Sequence, residues 1–173
     1  METFVLAGGC FWCLDSSYSQ FKGVIDVVCG YSGGHKANPT YEEVCAEGTG
    51  HAEVAKVIFD ESVISAETVL DLYFTMHDPR QLNRQGNDIG TSYRSAMFYQ
   101  GEEQKQLFEA ALVRAGQMWD GEIVTTLQPL EIFWEAEEYH QDYFSKNPGN
   151  AYCKAVVSGK MAKTRAAFTE FLK

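Results

Sequence analysis

Strand-like and helix-like segments alternate along most of this chain, and that alternation restricts the folds open to it more than any other feature. Short runs of β-branched and aromatic residues predict strands, and apolar residues three or four positions apart predict helices between them. The predicted strands cover residues 3–7, 24–31, 52–59, 93–99 and 122–128, and the predicted helices cover residues 11–21, 41–46, 65–77, 102–116, 136–146 and 160–172. This order predicts an α+β two-layer sandwich, in which one mixed sheet carries helices mainly on one face. A doubly wound sheet is the alternative.

Length and composition predict a single domain spanning residues 1–173, with residues 154–173 as a C-terminal helical extension. The chain is 45% hydrophobic, which is sufficient for a packed core, and its net charge of −10 argues against a nucleic-acid surface. No apolar run is long enough to span a membrane, and the N-terminus lacks the basic segment of a signal peptide. The five cysteines lack the spacing of a disulfide scaffold. We therefore expect a cytoplasmic protein with catalytic or metal-binding cysteines.

The segment Gly-Gly-Cys-Phe-Trp-Cys at residues 8–13 joins the first predicted strand to the first predicted helix. At a helix N-terminus the dipole and free N–H groups favour a thiolate, so the pKa of Cys10 is expected to be lowered. The alternative is a buried, inert cysteine. Cys13 lies less than one helical turn away and is close enough to form a redox pair, or half of a zinc site whose other half is missing. Trp12 lies off the apolar stripe of the helix and is either a pocket wall or a packing residue.

Glu53 lies on the apolar face of its predicted strand, together with Ala55, Val57 and Phe59. An inward-facing carboxyl should have a raised pKa and be able to donate a proton, unless it pairs with a buried arginine or a tyrosine. Four further polar side chains are considered, each with packing, capping or hydrogen bonding as the alternative: Tyr41, Tyr93, Asp88 and His140. The polar stretch 80–92 is long enough to predict a functional loop.

Four segments together resemble the A-type peptide methionine sulfoxide reductases. They are GGCFWC at residues 8–13, GYSGGHKANPTYEEVCAEGTGHAE at 30–53, HDPRQLNRQGNDIGTSYRSAMFY at 77–99, and AEEYHQDYFSKNPGNAYC at 136–153. They follow the family order over almost the whole chain up to residue 153, and no motif covers the tail. The resemblance implies a two-layer α/β sandwich, which we describe as a ferredoxin-like plait with a mixed central sheet.

The resemblance also implies roles for individual residues. Cys10 matches the nucleophile, Glu53 the acid that protonates the sulfoxide oxygen, and Asp88 a carboxylate that organises the site. Phe11 and Trp12 match the aromatic walls around the substrate methyl group, and Tyr41 and Tyr93 match hydroxyls that bind the oxygen. The expected enzyme is a cofactor-free and metal-free monomer that reduces methionine-S-sulfoxide, protein-bound or free. Attack by the thiolate leaves a sulfenic acid, a second thiol converts it to a disulfide, and thioredoxin regenerates the enzyme.

The resolving thiol is ambiguous because this sequence departs from the family pattern. Many members have glycine where Cys13 stands, and the residues before Tyr152 and Cys153 are Asn-Ala rather than the usual ending in glycine. We favour Cys153, expected on a mobile coil, and keep a relay through Cys13 and Cys153 open. Cys29 and Cys45 are predicted to be structural.

Two other functions remain open from the sequence. A dithiol–disulfide exchanger acting through Cys10 and Cys13 would reduce disulfides without needing a sulfoxide. A binding module would recognise oxidised methionine in an aromatic pocket without reducing it.

Overall fold

The computed structural model describes the whole chain, residues 1–173, around a six-stranded mixed sheet. The strands of this sheet are β1 (Glu2–Gly8), β2 (Val24–Ser32), β3 (Ala52–Phe59), β6 (Ser95–Tyr99), β7 (Thr126–Pro129) and β8 (Trp134–Glu135), and β4 (Arg84–Gln85) and β5 (Asp88–Ile89) form a separate hairpin. The helices are α1 (Phe11–Tyr18), α2 (Tyr41–Cys45), α3 (Ala66–Met76), α4 (Glu102–Met118), α5 (Tyr143–Lys146) and α6 (Ser158–Ala167). The predicted mixed α/β architecture is confirmed.

The sheet order is β7-β6-β1-β3-β2-β8. Strand β1 lies between β6 and β3 and is antiparallel to both, and β3 is also antiparallel to β2. Only β7 runs parallel to its neighbour, β6. The doubly wound alternative is therefore wrong, because that fold requires a mostly parallel sheet.

Alternate residues of the strands face two different layers. One face contributes Phe4, Leu6, Val57 and Phe59 to a cluster of 21 buried residues, which also takes in apolar side chains of α1, α3 and α4. The opposite face contributes a smaller cluster of six buried hydrophobic residues, over which Leu130 and Phe133 pack. Since a fully buried large apolar side chain contributes roughly 1.5–3 kcal/mol, the helix-covered face supplies most of the hydrophobic stabilisation.

The local sequence explains where the helices begin. Ser65 caps α3 by accepting a hydrogen bond from the Thr68 N–H at 3.1 Å. Thr40 and Glu43 form a reciprocal capping box at the start of α2, which fixes the orientation of a helix only five residues long.

Several predicted boundaries are wrong because tertiary contacts override local pattern. Residues 80–92 carry the β4–β5 hairpin, and a 3₁₀ turn over Thr91–Tyr93 delays β6 until residue 95. The predicted helix 136–146 breaks at Asp142, which has a left-handed φ of +53°. Strand β8 was not predicted. No helix has both the length and the apolar composition needed to cross a membrane.

The C-terminal segment is integrated into the domain. Residues 147–153 were predicted as coil, but helical structure begins at residue 151 and continues through a π-helical turn, Cys153–Val157, into α6. Beyond α6, Phe171 and Leu172 pack against the main core, and the Lys22 N–H donates to the Phe171 carbonyl at 2.8 Å. Removing this segment would therefore expose core residues.

Candidate active site

The junction of β1 and α1 requires two glycines. Gly9 has a φ of +88°, and a Cβ atom there would lie 2.8 Å from Cγ of Gln85. A Cβ atom at Gly8 would lie 3.0 Å from the ring of His77. The tight turn brings Cys10 to the N-cap position of α1, where 7% of its surface remains exposed. The thiol is therefore shielded but still reachable.

Cys10 and Cys13 form a hydrogen-bonded thiol pair. The Cys13 N–H donates to the Cys10 carbonyl at 3.1 Å, so the first turn of α1 brings the two side chains together. Burial raises the pKa of Cys10 well above its ordinary value, and the Cys13 thiol and the Glu53 carboxyl raise it further. The pKa of Cys13 is lowered, mainly because the Cys10 thiol donates a hydrogen bond to its sulfur. The expected lowering of the Cys10 pKa is wrong for the resting protein, because burial outweighs the helix terminus.

Glu53 lies at the start of β3 and points under α1, with 1% of its surface exposed. Its Oε1 accepts a hydrogen bond from the Phe11 N–H at 3.1 Å, and its buried Oε2 has no partner. Burial raises the pKa of Glu53 to about 8, with a smaller increase from Asp88, although the Phe11 N–H opposes the shift. The predicted inward orientation and raised pKa are confirmed. At neutral pH the site therefore holds a protonated acid with one unpartnered oxygen.

Tyr41 and Tyr93 supply two hydroxyl groups within the electrostatic field of Glu53. Burial raises the pKa of each, and the Glu53 carboxyl is the next largest cause in both. Both hydroxyls therefore stay protonated and able to donate. Glu137 positions Tyr41 by accepting hydrogen bonds from the Tyr41 N–H and the Tyr31 hydroxyl, each at 2.9 Å.

Aromatic rings surround the first turn of α1. The buried Phe11 ring lies 6.3 Å from that of Tyr41 and 5.0 Å from that of His140. The half-buried Trp12 stacks on Tyr143 with a centroid distance of 3.8 Å and an interplanar angle of 3°. The burial of Phe11 fits its place on the apolar face of α1, whereas the sequence did not indicate the partners of Trp12.

His140 holds the Trp12 indole in place. The Trp12 Nε1–H donates to His140 Nδ1 at 3.0 Å, so Nδ1 must be unprotonated. Burial lowers the pKa of His140, which keeps the ring neutral, with its proton on Nε2. In the structure, His140 accepts a hydrogen bond from Trp12. The sequence had left open whether His140 is a general base or makes a hydrogen bond on a helix face.

For a methionine sulfoxide peptide, the substrate that the resemblance implies, we expect His140→Ala to raise the KM about tenfold with kcat within about twofold, because the mobile indole binds less well. His140→Asn should recover most of the loss, since its amide oxygen can accept from Trp12. Steady-state kinetics of the three proteins tests this. A KM in His140→Ala equal to that of the unmodified protein would contradict the positioning role.

Asp88 reaches the site through a tyrosine that the sequence analysis did not consider. The Tyr152 hydroxyl donates to Asp88 Oδ2 at 2.5 Å, and the Tyr152 side chain packs against the buried cluster that contains Cys10 and Cys13. A cavity of about 180 Å³ lies between the hairpin and the C-terminal helix, and is lined by residues that include Gln85, Asp88, Tyr152 and Lys160. Asp88 is therefore connected to the thiol pair through Tyr152. The tyrosine next to Cys153 in the fourth motif was the available signal for this contact.

All five cysteines are free thiols. Cys153 is fully buried at the start of the π-helical turn, where Asn150 Oδ1 accepts a hydrogen bond from its N–H at 3.2 Å. The expected mobile coil around Cys153 is therefore wrong, because the Asn150 side chain satisfies the first N–H groups of a helix. Cys29 is buried in β2 and Cys45 is exposed on α2.

The sequence profile of one family, described as peptide methionine sulfoxide reductase, matches residues 2–171. This match includes the C-terminal segment, in which no motif was recognised.

The chain belongs to the peptide methionine sulfoxide reductase family.

Relatives and solved structures agree with that membership. Peptide methionine sulfoxide reductase MsrA of Clavibacter michiganensis is 57% identical over 173 residues, which is all of this chain and 99% of that protein. Mxr1 from Saccharomyces cerevisiae in reduced form has a TM-score of 0.83 at 32% identity, over 88% of each chain. The same yeast protein in complex with Trx2 has a TM-score of 0.59 at 24% identity, over 82% of this chain and 84% of that one.

This reductase is thus an oxidoreductase, and the predicted family and enzyme class are confirmed. Sequence reasoning brought Cys10, Glu53, Tyr41 and Tyr93 to one site, and the structure places all four there. It missed Tyr152 and Lys160, both of which lie on the C-terminal helical segment.

Proposed function

We propose that this reductase converts methionine-S-sulfoxide, protein-bound or free, to methionine, with Cys10 as nucleophile and Glu53 as general acid. The observation that carries the proposal is the unpartnered Oε2 of Glu53, buried beside the first turn of α1 and protonated at neutral pH. An isolated buried carboxyl oxygen is costly unless a ligand completes its hydrogen bonding. The sulfoxide oxygen, a strong acceptor, would do so.

The aromatic rings and the polar groups would hold different parts of the substrate. Phe11 and Trp12 offer apolar surfaces to the S-methyl group, because methyl groups and soft sulfur both favour aromatic contacts. Tyr41 and Tyr93 donate to the oxygen together with Glu53. When the methyl group and the oxygen of a chiral sulfur are both fixed, only one configuration directs the rest of the substrate out of the site and leaves the sulfur open to Cys10, which supports selection of a single epimer.

The chemical step moves one oxygen atom and two electrons. Glu53 gives its carboxylic proton to the sulfoxide oxygen and takes up the Cys10 proton in return, so the net charge of the site does not change. The Cys10 thiolate attacks the sulfoxide sulfur as Glu53 protonates the oxygen. The protonated oxygen then transfers to the Cys10 sulfur as the S–O bond and the newly formed S–S bond to the substrate sulfur both break. Methionine leaves with the electron pair, and Cys10 is left as a sulfenic acid.

We propose Cys13 as the first resolving thiol and Cys153 as its partner in a relay. The Cys13 thiolate attacks the Cys10 sulfenic acid, the two sulfurs bond, and the oxygen leaves as water. The hydrogen bond between the thiols supports this order, as does the burial of Cys153 within a helical turn. Cys13 and Cys153 belong to the same cluster of nine buried residues, which supports a relay between them.

One turnover without reductant tests this assignment. We expect mass spectrometry after rapid quenching to find about one equivalent of methionine and a Cys10–Cys13 disulfide, and Cys153→Ser should form both at the same rate. A first disulfide between Cys10 and Cys153 would contradict the proposed order. Absence of methionine would contradict the reductase itself.

A disulfide exchanger acting through Cys10 and Cys13 remains the second candidate, because their hydrogen-bonded thiols are a common feature of exchange enzymes. Reduction of an insulin disulfide at a rate comparable to sulfoxide reduction would favour it. The acid and hydroxyls gathered beside Cys10 have no use in that reaction, so we rank it second.

Four finer assignments complete the proposal. The regenerating dithiol is thioredoxin, which the assembly of yeast Mxr1 with Trx2 supports, and the compartment is the cytoplasm, which suits five unbridged thiols. The enzyme acts as a monomer, because the proposed mechanism needs no residue from a second chain. The central order β6-β1-β3-β2, with antiparallel neighbours throughout, supports description as a ferredoxin-like plait.

A further inference from the structure

Helix α6 directs a lysine ammonium group toward the thiol pair. The Nζ atom of Lys160 lies 3.8 Å from the position that a Cβ atom on Gly9 would occupy, next to Cys10. Lys160 takes part in none of the four ion pairs of the protein. It is half-buried and lines the same cavity as Tyr152 and Asp88. A positive charge without an ion-pair partner thus lies close to the Cys10–Cys13 pair, and both of these cysteines react as thiolates.

The backbone that carries this lysine is firmly anchored. The buried Thr164 hydroxyl donates to the Lys160 carbonyl at 2.7 Å, and Gln20 Nε2 donates to the Met161 carbonyl at 3.4 Å. Past α6, the Lys173 N–H donates to the Gln20 carbonyl at 3.0 Å. The C-terminal segment is therefore fixed to the residues just after α1, and the Lys160 side chain extends from a well-anchored backbone.

The groups that face Cys13 come from four elements. Cys10 lies on α1, Tyr152 and Cys153 lie on the C-terminal helical segment, and Asp88 of β5 and Glu53 of β3 bring carboxyl groups. Lys160 is the cation among them, and its charge lowers the pKa of Cys13, whereas Asp88 raises it. Its ammonium group therefore favours the anionic form of this thiol in particular.

We propose that Lys160 stabilises the thiolate of Cys13, both when Cys13 attacks the Cys10 sulfenic acid and when Cys13 is released during regeneration. In the attack, the Cys13 electron pair forms the S–S bond, the S–O bond of Cys10 breaks, and the hydroxide takes the proton that Cys13 gave up and leaves as water. In the return, Cys153 attacks Cys13 and frees Cys10, the external dithiol named above attacks Cys153, and Cys13 leaves as a thiolate. This inference rests on the proposed resolving role of Cys13.

The test measures formation of the Cys10–Cys13 disulfide in a single turnover, by rapid quench and mass spectrometry, from pH 6 to pH 10. For Lys160→Met we expect methionine release at the unmodified rate. Disulfide formation should be about threefold slower at neutral pH. Loss of the ammonium group lowers the thiolate fraction of Cys13 about tenfold, and the greater nucleophilicity of the remaining thiolate offsets part of this loss. At high pH, where the Cys13 thiol is deprotonated in both proteins, disulfide formation should be about threefold faster in the variant. Lys160→Arg should restore the original profile.

Lys154→Met is the matched control, because Lys154 is exposed on the same helical segment and its loss removes the same charge. We expect its profile to match that of the unmodified protein. Equal profiles for Lys160→Met and Lys154→Met would overturn the proposal, as would a slowing by one factor at every pH, which indicates structural damage. A raised KM for the free amino acid alone, with unchanged disulfide formation, would assign the ammonium to the substrate carboxylate instead. Normal methionine release without any Cys10–Cys13 disulfide in the unmodified protein would remove the resolving role of Cys13 and this inference together.

Discussion

Cys10→Ser is expected to abolish sulfoxide reduction, with a loss of at least about 10⁴-fold that leaves no measurable methionine in a single turnover. A serine hydroxyl keeps the size and hydrogen bond of the thiol. It is far harder to deprotonate, however, and its oxygen cannot accept the sulfoxide oxygen as a sulfenic acid does. The measurement is methionine formed per enzyme by chromatography, with no reductant present.

Cys45→Ser is the control for this experiment, because it makes the same change at an exposed thiol on α2. It should form methionine at the unmodified rate. Retained turnover in Cys10→Ser would mean that another of the five cysteines is the nucleophile. Circular dichroism of both variants checks that the fold is intact.

Glu53→Gln is expected to slow methionine formation by about 10²–10⁴-fold, which is the usual contribution of a positioned general acid. Glutamine keeps the shape of the side chain, and its Oε1 can still accept from the Phe11 N–H. It has no carboxylic proton to give. Substrate affinity should change much less than the rate, since the amide can still donate to the oxygen.

The pH dependence distinguishes loss of acid catalysis from loss of structure. The pKa of Glu53 is raised to about 8, so the acid is protonated below pH 8 and ionises above it. The single-turnover rate of the unmodified enzyme should therefore fall as pH rises through about 8. Glu53→Gln should lack this high-pH decline. An unchanged decline in the variant would assign the acid to another group.

The Glu53→Gln substitution, which lowers activity, should raise the stability of the protein at pH 8. A folded-state pKa of about 8, against roughly 4.3 in the unfolded chain, means that the native state loses stability as pH rises between those values. Glu53→Gln removes this loss, so at pH 8 its Tm should exceed that of the unmodified enzyme, by about 2–4 °C for each kcal/mol recovered. A lower Tm at pH 8 would mean that the glutamine is not accommodated. The buried acid is thus kept for function at the expense of stability.

Local sequence patterns determined which elements form and which face of each is apolar. The strand parity of residues 52–59 placed Glu53 inward, and the two glycines before Cys10 predicted the strand-to-helix junction. These features depend on residues a few positions apart, so they can be read from spacing. The four motifs were likewise sufficient to identify the family before any coordinates were considered.

Only the tertiary structure decided the chemistry of the thiols and the partners around them. Trp12 meets His140 across 128 residues, and Tyr152 meets Asp88 across 64. The burial of Cys10 reversed the expected direction of its pKa shift, and the anchored C-terminal segment brought Tyr152 and Lys160 to Cys13. The physical reason is that burial and long-range electrostatics depend on which distant segments pack together. Neighbours in the sequence do not specify that packing.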